Sequence, residues 1–247
     1  MMTAFVPQPA LSFDGVSKRF GGLAALEGFT LEVKRGELLG LVGGNGAGKT
    51  TLIKCLLDFC AIDGGAITIS GVPHRRTEAR ADLAFLPERF NSPHYLTGRD
   101  FLRYMAELHR TAYSEGRVKQ TFERLDLSGS ALDRPARTYS KGMMQKLGLA
   151  ACLLSGKSLQ VLDEPTSGLD PKARALLKRE LQSLRAEGRT VFFTSHSLSD
   201  VEQICDRMAV LDGGRLRFAG PPAELVTRYG DRDLESAFLA CIGEVQA

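Results

Sequence analysis

Residues 37–59 read ELLGLVGGNGAGKTTLIKCLLDF, and the reading of this stretch decides the fold. ELLGLVG is almost continuously apolar, the pattern of a strand covered on both faces. TTLIKCLLDF, from Thr50 onward, reads as a helix. Between them GGNGAGKT, Gly43 to Thr50, matches G-x-x-x-x-G-K-[ST] in the strand-to-helix setting that the pattern requires. Glycines let backbone N–H groups curl around phosphate oxygens, and the helix that follows adds its positive N-terminal end. Lys49 then reaches the β and γ phosphates, and Thr50 offers its hydroxyl to Mg²⁺. The candidate cradle for a nucleoside triphosphate is Gly43, Gly44, Asn45, Gly46, Ala47, Gly48, Lys49, Thr50 and Thr51. A glycine-rich turn without nucleotide is the bland alternative, and Lys49-Thr50-Thr51 weighs against it.

Phosphate chemistry also needs a metal ligand and a group that activates water. SLQVLDE (158–164) supplies both at the end of a buried strand, with Asp163 for the Mg²⁺ shell and Glu164 to polarise the attacking water. Because Pro165 follows, the acid pair could instead cap a helix. Outward from these two stretches, TLEV (30–33), AITISG (66–71) and LAFL (83–86) read as strands. Helices dominate the middle of the chain. Thr97 and Asp100 form a capping-box pattern ahead of Phe101, Leu102, Met105 and Leu108; Val118, Phe122 and Leu125 make a second stripe; Ser140 caps a third through Met143, Met144, Leu147, Ala150 and Ala151. After 158 the pattern alternates. Asp170-Pro171 opens a helix, TVFFTSH (190–196) is a buried strand, Ser197 with Asp200 caps the next helix, and VLDGGRLRF (210–218) reads as a hairpin. This predicts an α/β fold with a mostly parallel sheet, the core in 1–88 and 158–247 and a helical insert in 89–157.

Composition excludes several classes. The net charge of +3 comes from 32 basic and 29 acidic residues spread along 247, so no nucleic-acid partner is expected. The densest basic run, His74, Arg75, Arg76 and Arg80, is broken by Glu78 and reads as a solvated loop. Five cysteines without a C-x-x-C pair fit a reducing cytoplasm. No apolar run reaches the roughly 18 residues of a membrane span, and MMTAFVPQPA has no secretory pattern.

With these motifs in hand, the chain from about Leu11 to Phe218 resembles the ATP-binding subunits of ABC transporters. GGNGAGKT is similar to that family's Walker A loop and LQVLDE to its Walker B strand; SGLD, Ser167 to Asp170, matches the D-loop; His196 falls at the switch histidine; YSKGM (139–143) occupies the place of the signature usually written LSGGQ. The resemblance implies a P-loop NTPase (RecA-like) core with an N-terminal antiparallel β-subdomain, the helical insert carrying the signature. It implies ATP and Mg²⁺ as cofactors, with Glu164, His196 and Lys49 as catalytic residues and Thr50, Asp163 and Glu88 as metal ligands. Phe20 sits where the family stacks an aromatic on adenine, worth about 1–3 kcal/mol, though it could equally be core. Ser140, Lys141 and Gly142 would touch ATP held by a second copy.

Three departures stand out. Glu88, in FLPERF, replaces the usual glutamine of the Q-loop; Gly44 replaces a bulkier residue; Tyr139, Lys141 and Met143 replace Leu, Gly and Gln of the signature. Lys141 adds a cation that suits a γ phosphate. The implied partners are a second copy of the chain and an integral membrane transporter subunit, contacted by the segment after Glu88 through Phe90 and Tyr95. The implied place is the inner face of the cell membrane. YSKGM, LPE and the tail LESAFLACIG resemble exporters more than importers. A soluble ABC ATPase acting on ribosomes or DNA, or a nucleotide kinase, is the rival reading.

Overall fold

β1 (Leu11–Phe20) and β2 (Leu23–Val33) form a long antiparallel hairpin with several register shifts. The computed structural model describes residues 8–230 and 232–243, so MMTAFVP (1–7), searched above for a leader, lies outside the described residues. β3 (Leu38–Val42) leaves this hairpin for a second sheet and leads straight into α1 (Lys49–Leu56). β4 (Gly64–Ile69) returns to pair with β1, and the short β5 (Val72–Pro73) completes a four-stranded antiparallel sheet in the order β2-β1-β4-β5. β6 (Leu83–Leu86) then joins the second sheet at its edge.

Three helices follow: α2 (Gly98–His109), α3 (Glu115–Arg124) and α4 (Lys141–Leu154). Thr97 and Asp100 make both bonds of a capping box at the start of α2, which fixes where that helix begins. The Ser140 hydroxyl accepts the Met143 N–H at 3.2 Å and starts α4. β7 (Leu159–Leu162), α5 (Pro171–Ala186), β8 (Thr190–Ser195), α6 (Leu198–Ile204), β9 (Arg207–Asp212) and β10 (Arg215–Gly220) alternate, and α7 (Pro222–Tyr229) and α8 (Leu234–Gly243) follow. The second sheet has the order β10-β9-β3-β8-β7-β6, parallel throughout except for the β9–β10 hairpin.

The large sheet is covered on both faces. In β8, Phe192 lies 6.1 Å from Phe13 of the antiparallel sheet, whereas Phe193 joins the cluster formed with α2 to α5. Successive strand residues point to opposite faces, so two adjacent phenylalanines anchor two cores; truncating either to Ala would cost about 3–5 kcal/mol. α4 is buried from Met144 to Leu153, which seats the helical segment on β6 and on the cluster below β3 and β8. No helix among the described residues is long and apolar enough to cross a membrane.

Four readings need correction. His74 is not solvated: it is 3% exposed, its Nδ1 donates to the Ile67 carbonyl at 3.1 Å, and burial holds its pKa below the usual histidine value. Leu108 is 58% exposed, because the stripe of α2 turns outward in its last turn. Phe90 packs inward, 5.4 Å from Phe101, and leaves Tyr95 as the exposed aromatic of its segment. The Asp200 carboxylate does not return to Ser197 but pairs with Lys178 at 2.6 Å, although the Ser197 hydroxyl does accept the Asp200 N–H. The C-terminal stripe docks on the core: Leu234, Ala237 and Cys241 are buried, with Phe238 and Ile242 packed beside them.

Candidate functional site

β3, β7 and β8 are parallel, and each delivers its chemistry one or two residues past its last one: Gly43 after Val42, Asp163 and Glu164 after Leu162, His196 after Ser195. Open α/β sheets place ligands beyond these carboxyl ends.

The turn before α1 is shaped by backbone contacts. Gly48 has φ 113°, and a Cβ there would stand 2.5 Å from the Ala25 carbonyl oxygen, so both conformation and space demand glycine. The Gly214 N–H donates to the Ala47 carbonyl at 3.0 Å, which ties the turn to the β9–β10 hairpin. α1 starts with no side-chain cap and no acid in its first turn, so its N-terminal N–H groups and positive end await an anion. Lys49 is folded inward, its Nζ donating to the carbonyls of Gly43 (2.6 Å) and Gly44 (3.2 Å) and standing 3.9 Å from a Glu164 oxygen.

Glu164 adopts a left-handed φ of 48°, which costs a non-glycine residue about 1 kcal/mol or more. Three bonds hold it there. Its N–H donates to the Thr194 hydroxyl at 2.9 Å, its carbonyl accepts the Ser167 N–H at 2.9 Å, and its carboxylate meets the His196 Nδ1 at 2.8 Å. The same Thr194 hydroxyl donates to Asp163 at 2.6 Å, so one buried oxygen sets the position of both acids. Burial raises the Asp163 pKa above the usual carboxylate value; the Thr194 hydrogen bond and Lys49 oppose this, while Glu88 and Glu164 add to it.

These groups surround a cavity of about 630 Å³. Phe20, Gly44 to Thr51, Glu88, Glu164 and His196 line it, while Gly43 and Asp163 stand behind that lining. Phe20 is 51% exposed, and of its two readings the structure favours the cavity over the core. Ser140, Lys141 and Gly142 do not reach this cavity. Lys141 instead lies across Gly168, whose φ of +74° favours glycine; a Cβ there would be 3.0 Å from the movable Lys141 Cε. Tyr139 is structural here, its hydroxyl donating to the Ala131 carbonyl at 2.5 Å. Sequence reasoning missed Leu23, Ala24, Ala25 and Gly213 in the lining, and Thr194 behind it, while Ser167 of the SGLD stretch does join the lining. Residue type gave no separate signal for Thr194, since β8, TVFFTS, also carries hydroxyls at Thr190 and Ser195.

No group of three or more His, Cys, Asp or Glu among the described residues could cage a metal ion. The oxygen donors of Thr50, Asp163 and Glu88 suit a hard cation that takes the rest of its shell from phosphates and water, as Mg²⁺ does. A divalent ion held here would offset the cost of burying the Asp163 carboxylate and its repulsion from Glu88 and Glu164.

A family profile described as "ABC transporter" matches residues 26–167. An uncharacterized ABC transporter ATP-binding protein of Synechocystis is 37% identical over 235 residues, covering 90% of this chain and 66% of that protein. The chain thus spans just under two thirds of that relative's length. The Nod factor export ATP-binding protein I of Ralstonia nicotianae is 36% identical over 225 residues, 89% of this chain and 69% of the relative. Among solved structures, an ATP-binding subunit of an ABC transporter superposes with a TM-score of 0.85 at 28% identity, over 94% of this chain and 99% of that one.

Proposed function

The chain belongs to the ABC transporter family, in the company of its ATP-binding proteins, and on that premise we propose that it is the ATP-hydrolysing subunit of an exporter. Two copies would close over ATP, each giving its Gly43–Thr51 turn to one nucleotide and its Ser140–Gly142 turn to the other. The closing motion would drive a separate membrane subunit, which places the protein on the inner face of the membrane, with the exposed Tyr95 at the contact. The name of the Ralstonia relative supports export over import.

One observation carries the reading: Lys49, Glu164 and His196 form a connected chain on one wall of the cavity, while the second turn of the resemblance lies off it on the same chain. In the reaction, water attacks the γ phosphorus and the bond to the β–γ bridging oxygen breaks, giving ADP and phosphate. Glu164 takes or orients the water proton, and His196 holds the Glu164 carboxylate in place. Lys49 exchanges the Gly43 and Gly44 carbonyls for phosphate oxygens. Thr50, Asp163 and Glu88 would hold Mg²⁺, which supplies charge neutralisation on the phosphate oxygens. The Phe20 ring offers a face for adenine.

Glu164→Gln tests this. ATP binding should persist, turnover should fall about 10²–10⁴-fold, and ATP should accumulate the protein as a dimer in light scattering. Near-normal turnover would remove Glu164 from the mechanism. Co-sedimentation of that variant with ribosomes, and with no membrane protein after detergent extraction, would favour the soluble rival.

A further inference from the structure

The segment before α4 is knit to the segment before α2. Thr97 bridges Pro135, the Ala136 N–H donates to the Leu96 carbonyl at 2.8 Å, and the Gly98 N–H donates to the Arg134 carbonyl at 3.3 Å. Tyr139 closes this seam. Its hydroxyl donates at 2.5 Å to the Ala131 carbonyl, which also accepts the Arg134 N–H at 3.0 Å, and its own N–H donates to the Ala136 carbonyl at 3.0 Å. The phenol fits because residue 98 is glycine: a Cβ there would run into the Tyr139 hydroxyl, yet would stand at an ordinary 3.4 Å from the ring carbon Cζ. Gly98 opens α2 with no left-handed backbone, so the Tyr139 hydroxyl, and not conformation, is what calls for glycine.

Tyr139 (φ −78°, ψ 140°) and Ser140 (φ −65°, ψ 163°) are both extended, and successive side chains of an extended chain point opposite ways. Seating the phenol inward therefore turns Ser140 outward, where it and Lys141 are exposed. We propose that Tyr139 is a positioning residue for ATP hydrolysis: its hydroxyl fixes the aim of the Ser140–Gly142 turn at nucleotide held by a second copy. The proposal rests on the reading that two copies close over ATP. Tyr139 itself touches no reacting atom. Its ring packs against the apolar cluster of the helical segment, while its hydroxyl ties the turn to residues 129–133. Leucine, usual at this place in the family's signature, has no donor for that tie.

Tyr139→Phe removes the hydroxyl and keeps the ring. Turnover should fall about five- to tenfold, while ATP affinity of the separate chain, read by calorimetry, stays within about twofold. The melting temperature should drop by about 2–4 °C, the loss of one hydrogen bond. In the Glu164→Gln background, where ATP accumulates the dimer, Tyr139→Phe should raise the protein concentration needed for dimerisation in light scattering by about five- to tenfold. Gly98→Ala, ordinarily a gain in a helix, should lower turnover of the parent by a similar factor and add less than about twofold once Tyr139→Phe has removed the hydroxyl. Full turnover in Tyr139→Phe, losses from the two substitutions that simply multiply, or dimerisation indifferent to Tyr139→Phe would each overturn the proposal and leave the two-copy reading standing. If Glu164→Gln forms no dimer with ATP at all, the two-copy reading itself fails and takes the proposal with it.

Discussion

The turn before α1 and the turn before α4 both end in the free N–H groups of a helix start, yet the chain finishes one and leaves the other open. Around Gly48 the chain supplies a wall from Ala25, a tie from Gly214 and an inward-folded Lys49, but no cap for the helix itself. Around Ser140 the reverse holds. The hydroxyl caps its own helix, no acid follows in the first turn, and Ser140 and Lys141 are exposed away from the cavity. A helix start lacking its own cap is built for a ligand from its own cavity. A capped and exposed start is stable without a ligand, so whatever it binds is brought to it.

Ser140→Arg would break this contrast most strongly. If the second turn completes a site on another copy, a bulky cation there blocks closure; turnover should fall about 10²-fold or more while ATP affinity of the separate chain stays within about twofold, since the first turn is untouched. Loss of the cap costs the fold about 1 kcal/mol, and a melting curve separates that small effect from the large kinetic one. Normal turnover would mean that each chain hydrolyses ATP alone.

Gly48→Ala attacks the other turn and should act on both fold and ligand. The left-handed backbone and the collision with Ala25 together cost about 3 kcal/mol, read as a lower urea midpoint, and the cradle should lose ATP. A variant that keeps its stability but loses ATP would show that the Ala25 wall yields to the new methyl.

The same two turns divide what the sequence discloses. GGNGAGKT is legible because its function needs particular residue types in sequential order, and so does the acid pair closing β7. Thr194 and Ala25 are not legible in that way, for their roles depend on strands distant in the chain: β8 lies beside β7, and the β1–β2 hairpin is pressed against α1. A backbone carbonyl such as that of Ala25 leaves no trace in residue identity. β1 itself passed unnoticed because LSFDGVSKRF mixes polar residues and a glycine into its alternation. His74 deceived for a related reason: between arginines it reads as solvated, yet a single carbonyl of β4 draws it inside.

Asp163→Asn sharpens the comparison with the smallest effect. A site that waits for a cation stores unfavourable charge, and Asp163, its pKa raised chiefly by burial, carries it. A carboxylate with a raised folded-state pKa favours folding below its unfolded value, near 3.9, and loses that contribution as pH rises through the folded value. Once pH exceeds that folded value the cost is present. Without nucleotide, the Asn variant should therefore be about 1 kcal/mol more stable than the parent at pH 7, a rise of about 2–4 °C in Tm. The difference should shrink as pH falls toward 4. Saturating ATP and Mg²⁺ should reverse the order, because the parent gains the ligand and the variant does not. An Asn variant that is less stable than the parent without nucleotide would place the worth of Asp163 in its bond from Thr194, and the charge stored in the open cradle would then not be its cost.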